Sequence, residues 1–203
     1  MSIDRDTAIA KLADARLRTL DDEERWGLLL ENVDVPDVGL PPELSRQVKA
    51  GDIENKHDPR LDPLLIARLK ERLQTYTNRY LEECLSTECR QEEDVTGTYT
   101  PLAATCPCCG AASLAEQGVW EICDVCWWED DGQDGSAADE VWGGPNAGQS
   151  LTSARINYLK YGIFDPSRDD LRAYQVPRHA YSERRRFVLC DDGAGVKEIA
   201  CDG

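Results

Sequence analysis

Five cysteines fall within the 21 residues from Cys106 to Cys126, in the segment CPCCGAASLAEQGVWEICDVC. Cys106 and Cys109 form one C-x2-C pair and Cys123 and Cys126 another, with 13 residues between the pairs. A C-x2-C step bends the backbone so that both sulfurs face one point. Two such steps supply four thiolates, a set suited to tetrahedral zinc with Zn–S bonds of about 2.3 Å. Pro107 favours the first turn, and Gly110 permits the positive φ often needed after a second ligand. Cys108 sits inside that turn and is expected to point away from the metal. Four sulfur ligands fill the coordination sphere, so the expected zinc is structural, one per chain, supporting a small β-ribbon with too little core of its own. A redox reading of C-P-x-C is the main rival, but such motifs open a helix after a strand. Here Gly110 and the small residues after it suit a ribbon turn better.

Directly after the last ligand the chain turns acidic. From Trp127 to Val141 it carries Glu129, Asp130, Asp131, Asp134, Asp139 and Glu140, with no Lys or Arg. Nucleic-acid-binding ribbons carry basic patches, and the only locally basic run here is Arg184–Arg186, so direct nucleic-acid contact is not expected. A calcium loop read from Asp130 fails at its third position, where glycine replaces an oxygen ligand. A second acidic stretch runs from 21 to 37, with Asp21, Asp22, Glu23, Glu24, Glu31, Asp34 and Asp37 against Arg25. Both stretches are candidate partner surfaces, and both are equally readable as solvated faces. Trp128 and Trp142 beside the first could anchor a partner, whereas Trp127 is expected to pack the ribbon. His57 and His179 lie in polar loops and are read as surface residues. No Ser–His–Asp, P-loop or dinucleotide-binding pattern occurs, so no catalytic residue is nominated.

These segments need elements to hold them. Of 203 residues, 41% are hydrophobic, enough for a packed core, and the net charge is −16, which disfavours nucleic acid and anionic membranes. The N-terminal stretch lacks an apolar signal region, and no run reaches the length of a membrane span. A cytoplasmic protein with reduced thiols is therefore expected. Nine cysteines, an odd number, fit a complete disulfide framework poorly. Cys84, Cys89, Cys108, Cys190 and Cys201 are given no role beyond free thiols.

Residues 1–95 read as helical. Ile9, Leu12, Ala13 and Leu17 follow helical spacing. A second helix is expected to start near Thr19 as its cap, with Trp26, Leu29 and Leu30 on its apolar face. A short helix ends at Gly51. A single long helix is expected near 62–92, capped by Asp62, with Leu65, Leu69, Leu73, Tyr76, Tyr80 and Cys84 along one stripe. Residues 96–105 read as a linker or entry strand. Residues 150–162 form a short helix capped by Ser150 or Thr152 and stopped by Gly162, and the tail forms a hairpin around DDGAG. The fold class is α+β: a helical N-terminal part, a small zinc-ribbon-like domain at 104–170 with a short helix, and a C-terminal extension at 171–203 with a β-hairpin.

The CPCCG motif, the run from Gly118 to Asp134, GGPN at 143–146 and SLTSARINYLKYG at 150–162 together resemble the cysteine-rich CPCC domain family of bacterial proteins. The segment from Thr7 to Leu29 is also similar to the helical segment ahead of that domain in many members, and the stretch 62–92 looks like an insertion. Asp124 departs from the Pro common there, without consequence for the ligands. The resemblance implies a small zinc-ribbon-like module and carries over no catalytic residue. Members are often encoded near toxin genes, which implies immunity roles for some. The expectation is a zinc-stabilised, non-enzymatic binding protein that neutralises a cognate toxin, possibly a nuclease, by covering its basic cleft. Its candidate contacts are Glu129, Asp130, Asp131, Asp134, Asp139, Glu140, Trp128, Trp142, Asp21, Asp22, Glu23 and Glu24. The alternative is an adaptor or regulator unrelated to toxins.

Overall fold

The computed structural model describes residues 1–31 and 37–201, so Asp34 lies outside the described residues. The chain divides into two compact units, residues 1–99 and 100–203. The fold is α+β, helical in its N-terminal part and ending in an antiparallel hairpin.

In the N-terminal unit, β1 (Ser2–Asp4) leads into α1 (Arg5–Thr19), α2 (Asp22–Leu30), α3 (Pro42–Ala50), α4 (Asp62–Gln74), α5 (Asn78–Glu88) and β2 (Asp94–Thr96). The two short strands pair in parallel, with Ile3 opposite Val95. Helix α1 begins where the Asp4 side chain accepts from the Thr7 N–H, which satisfies one of the free first-turn donors. Its buried face, Ala8, Ile9, Leu12 and Ala13, packs on α4 and α5. Those helices answer with Leu64, Leu65, Leu69 and Leu73, and with Leu81, Cys84 and Leu85. Helix α3 ends at Gly51, as expected, in a left-handed C-cap.

Two local expectations are corrected. Helix α2 is capped by Asp21, not Thr19. The Asp21 side chain accepts from the Glu23 and Glu24 N–H groups, and Glu24 reaches back to the Asp21 N–H, forming a capping box. Its inward face is Arg25, Leu28 and Leu29, while Leu30 is exposed and Trp26 only half-buried. Arg25 can take an inward position because the Lys56 carbonyl and the Asp62 carboxylate both receive its guanidinium.

The single helix expected near 62–92 is two helices, broken at Thr75–Thr77, and Asp62 is not its cap but the first residue of α4, its carboxylate taken by Arg25. Thr77 caps α5 by accepting from the Tyr80 N–H, an alternative that threonine offers the backbone wherever tertiary structure supports it. The support is Arg5, nearly buried, which donates to the carbonyls of Gln74 (2.8 Å) and Tyr76 (2.6 Å) and to Asn78 Oδ1 (2.6 Å). These carbonyls would otherwise lie unpaired at the helix end. Cys84, on the expected stripe, is buried, and burial pushes its thiol up to about 11, with Arg16 Nη2 donating to the sulfur.

The C-terminal unit is built differently. Its regular elements are α6 (Leu151–Tyr161) and the hairpin of β3 (Arg186–Leu189) and β4 (Val196–Ile199), with Leu189 opposite Val196 and the turn at residues 190–195. The Ser150 hydroxyl caps α6, and Gly162 ends it at φ 77°. Between residues 97 and 150 the described backbone holds only isolated bridges and two 3-10 turns. Buried side chains take over the pairing that a sheet would provide. Gln133 Nε2 donates to the carbonyls of Ala137 and Glu140, and its Oε1 accepts from the Leu151 N–H at the start of α6. Asn146 accepts from the Glu129 N–H and donates to the Glu129 carbonyl. Trp128, fully buried, meets Phe164 edge-on with ring centroids 6.2 Å apart.

Candidate metal centre

Each C-x2-C step closes on itself through the backbone. In the first, the Gly110 N–H donates to the Cys106 carbonyl and the Cys106 N–H to the Ala111 carbonyl. In the second, the Trp127 N–H donates to the Cys123 carbonyl and the Cys123 N–H to the Trp128 carbonyl. The residue after each second cysteine is left-handed, Gly110 at φ 81° and Trp127 at φ 67°. The two turns are thus copies, although one uses a glycine and the other a tryptophan. The choice at Gly110 is forced by crowding: a Cβ there would sit 1.9 Å from the Arg185 carbonyl oxygen. Sequence reasoning anticipated the glycine and missed Trp127. Its equal offset from Cys126 was the available signal.

The copies bring four sulfurs together. The Sγ atoms of Cys106, Cys109, Cys123 and Cys126 all lie within 4.8 Å of one another, and all four residues are buried. Cys106–Cys126 and Cys109–Cys123 approach to 3.6 Å. A tetrahedron of thiolates at zinc-like bond lengths has edges of about 3.8 Å, so the four residues fit a tetrahedral metal ion. Cys108 is fully buried too but stands outside this group, as its place inside the turn predicts.

Burial raises the thiol pKa at all four positions, and Cys106, Cys109 and Cys126 end well above the ordinary value. At Cys123, hydrogen bonds from Cys106, Cys109, Cys126 and Ser113 outweigh burial and hold it well below. The Ser113 hydroxyl lies 3.0 Å from Cys123 Sγ and is nearly buried. Nothing in the cysteine spacing pointed to Ser113; it enters through the bridge that pairs Ala104 with Leu114.

The rest of the unit clamps the first turn. The Gly110 carbonyl accepts from the Arg184 and Arg185 N–H groups, and Ala111 bridges to Glu183. Arg155 of α6, nearly buried, donates from Nε to the Pro107 carbonyl (2.9 Å), and its guanidinium stacks 4.3 Å from the Phe187 ring centroid. Neither contact is visible in sequence, since the partners lie far apart along the chain.

The acidic stretch is part internal wiring and part surface, with Asp130 its one buried carboxylate. Asp130 is 1% exposed and accepts from the Gly118 and Gly132 N–H groups. Asp131 accepts from Gln133 N and Asn146 Nδ2. Asp134 bridges Arg155 (3.0 Å) and Arg185 (2.9 Å). Burial pushes its carboxyl up, but the Arg185 hydrogen bond, the Gly135 N–H and the nearby Arg155 charge outweigh that and hold it below the usual range. Asp139 accepts from Thr152 Oγ1 and Glu140 from Trp142 Nε1. Glu129 pairs through its backbone with Asn146 and Ile122. As candidate contacts, Asp130 and Trp128 are therefore corrected: both are interior residues, because this loop must satisfy its own backbone and cover the metal turns. Trp142 is 51% exposed, and Trp120, which sequence reasoning passed over, is 55% exposed.

In the N-terminal unit, Asp21 and Glu24 are spent on the capping box, and Asp22 pairs with Lys56 (2.9 Å) and His57 (3.0 Å). Glu23 is exposed at the first turn of α2. Glu31 pairs with Arg72, and the Asp37 carboxylate faces the Gly39 N–H. No helix of the described residues is long and apolar enough to cross a membrane.

Neither a curated protein nor a solved structure matches this chain. Residues 104–178 do match a family model, and that span contains the four clustered thiols, Ser113, the buried Trp128 and all of α6. On that match, the segment is a cysteine-rich CPCC domain.

Proposed function

We propose that this protein is a zinc-stabilised acidic binding protein with no catalytic centre, and that it acts as an immunity protein against a cognate toxin. The observation that carries the metal reading is the closed set of four buried thiols. Thiolates favour zinc over harder cations. A full set of sulfur donors leaves no position for a water or substrate, which makes the metal a brace. Bound zinc supplies folding free energy to a unit whose backbone has few regular elements.

The binding reading rests on charge. At a net −16 the surface attracts cationic proteins and steers their approach. A toxin that cleaves nucleic acid needs a basic cleft for phosphate, and an acidic protein can occupy it. The toxin itself enters through the family resemblance, whose members are often encoded beside toxin genes.

Two experiments test this. Metal analysis of purified protein is expected to find one zinc per chain; a folded, metal-free protein refutes the brace. Co-expression with the product of the adjacent gene is expected to relieve its toxicity and yield a complex. Unrelieved killing, with both proteins soluble and no complex formed, refutes immunity and leaves an adaptor role.

A further inference from the structure

Trp120 occupies a place that a buried ring would not need. Its φ is +66°, a conformation that L side chains rarely adopt. The turn is held there from both sides. Glu121 Oε2 accepts from the Ala115 and Glu116 N–H groups, the Asp130 carboxylate accepts from the Gly118 N–H, and the Asp130 carbonyl accepts from the Trp120 N–H. The result of this over-determined backbone is an indole pointing into solvent, 55% exposed. Trp127 shares this conformation, but the C-x2-C turn accounts for it and its ring is half-buried, whereas no such turn accounts for Trp120.

The neighbouring loop presents a second indole. The Trp120 ring edge lies 3.9 Å from where a Cβ on Gly144 would sit. Two residues earlier, Trp142 is half-exposed and its Nε1 donates to Glu140 (3.1 Å), which fixes the ring. Val141, between them in sequence, is 58% exposed. Oriented, half-exposed tryptophans are the usual anchors of protein interfaces.

Charge names the occupant. From Gln91 to Ala154 the chain has twelve carboxylates and no Lys, Arg or His. Among the described residues, Glu116, Glu129, Asp131, Asp139 and Glu140 have no cationic partner. Two exposed indoles, one of them bonded to the carboxylate of Glu140, in a stretch without a cationic residue suit guanidinium and ammonium groups, through cation–π contact and Coulomb attraction together. A second copy of this acidic chain would be repelled.

We infer that Trp120, Val141 and Trp142 form a docking surface for a basic peptide segment of a partner protein, which places arginine or lysine side chains over the two indoles. The inference rests on the reading of the chain as an acidic binding protein and names its contact surface.

The test uses the full-length, zinc-loaded protein at physiological salt and a short synthetic peptide alternating arginine with leucine, beside a citrulline version of equal length. Calorimetry is expected to show saturable binding of the arginine peptide and at least about tenfold weaker binding of the citrulline peptide. Trp120→Gly combined with Trp142→Ser leaves net charge unchanged and is expected to weaken binding at least about tenfold. Zinc content should be retained, and Tm for Trp120→Gly alone unchanged or raised, since glycine accepts the left-handed backbone freely. Equal binding by wild type and double variant overturns the surface but leaves the binding-protein reading standing, because charge elsewhere then does the work. A clear fall in Tm for Trp120→Gly makes the ring a packing residue and overturns the inference. A wild-type dimer that the double variant abolishes assigns the surface to self-association and overturns it as well. A wild type that binds neither the peptide nor its co-expressed partner overturns the inference and the binding reading together.

Discussion

The two units solve the same problem with different materials. Residues 1–99 bury leucine and alanine faces of helices whose ends are capped by Asp4, Asp21 and Thr77. The described residues 100–201 contain one α-helix, one hairpin and short 3-10 turns, and place Asp130, Gln133, Asn146 and Arg155 in the interior with the four clustered cysteines. A helix satisfies its own backbone, so its side chains are free to be apolar. An irregular loop cannot, so polar side chains must enter the core to pair with it. A metal ion held by the four clustered thiols would tie such loops together where no sheet does. The contrast teaches that the cysteine cluster and the carboxylates after it belong to one arrangement: Asp130, Asp131 and Asp134 follow Cys126 where the loop needs acceptors for its own N–H groups and for Arg155 and Arg185.

The largest effect is expected from breaking that arrangement. Removing zinc, or Cys109→Ser, should withdraw apparent folding free energy on the order of 10 kcal/mol from the C-terminal unit. Hydrogen exchange should then show protection lost over residues 104–190 and kept over the helices of residues 5–88. Loss of both sets would show that the units do not fold independently.

Leu65→Ala is the matching cut in the other unit. Leu65 is fully buried in α4, and a cost of about 2–5 kcal/mol is expected by denaturant titration. Zinc content should not change.

Gly110→Ala sharpens the comparison between the two metal turns. An added methyl would collide with the Arg185 carbonyl, and an overpacking cost of about 1–3 kcal/mol is expected, with faster zinc loss to a chelator. Unaltered release kinetics would mean that residues 184–185 do not clamp the turn.

Asp21→Ala gives the smallest change. It removes the capping box of α2 and should cost about 1 kcal/mol in the N-terminal unit, leaving zinc release untouched.

Much of this molecule was legible in its sequence, and the legible parts share a property. Both C-x2-C turns, the cap and stop of α6, the Gly51 stop and the hairpin turn each depend on residues within a few positions of one another. The ligand set itself follows from spacing, because a C-x2-C step is a local geometry.

What only the tertiary structure decided depends on partners distant in the chain. The stripe through Tyr76 and Tyr80 is compatible with one long helix, and the break is held by Arg5, 71 positions from Tyr76, which donates to the Tyr76 carbonyl. Asp130 and Glu140 look alike in sequence, yet one is an interior acceptor and the other faces solvent, since only folding brings the Gly118 N–H to Asp130. The tryptophans divide the same way: Trp128 is enclosed by Phe164, while Trp120 is held outward by a turn fastened to Asp130. Residue type and spacing determined which groups could bind a metal. Which carboxylates and rings remain free for anything else is a question of which distant backbone groups claim them first, and that is settled in three dimensions.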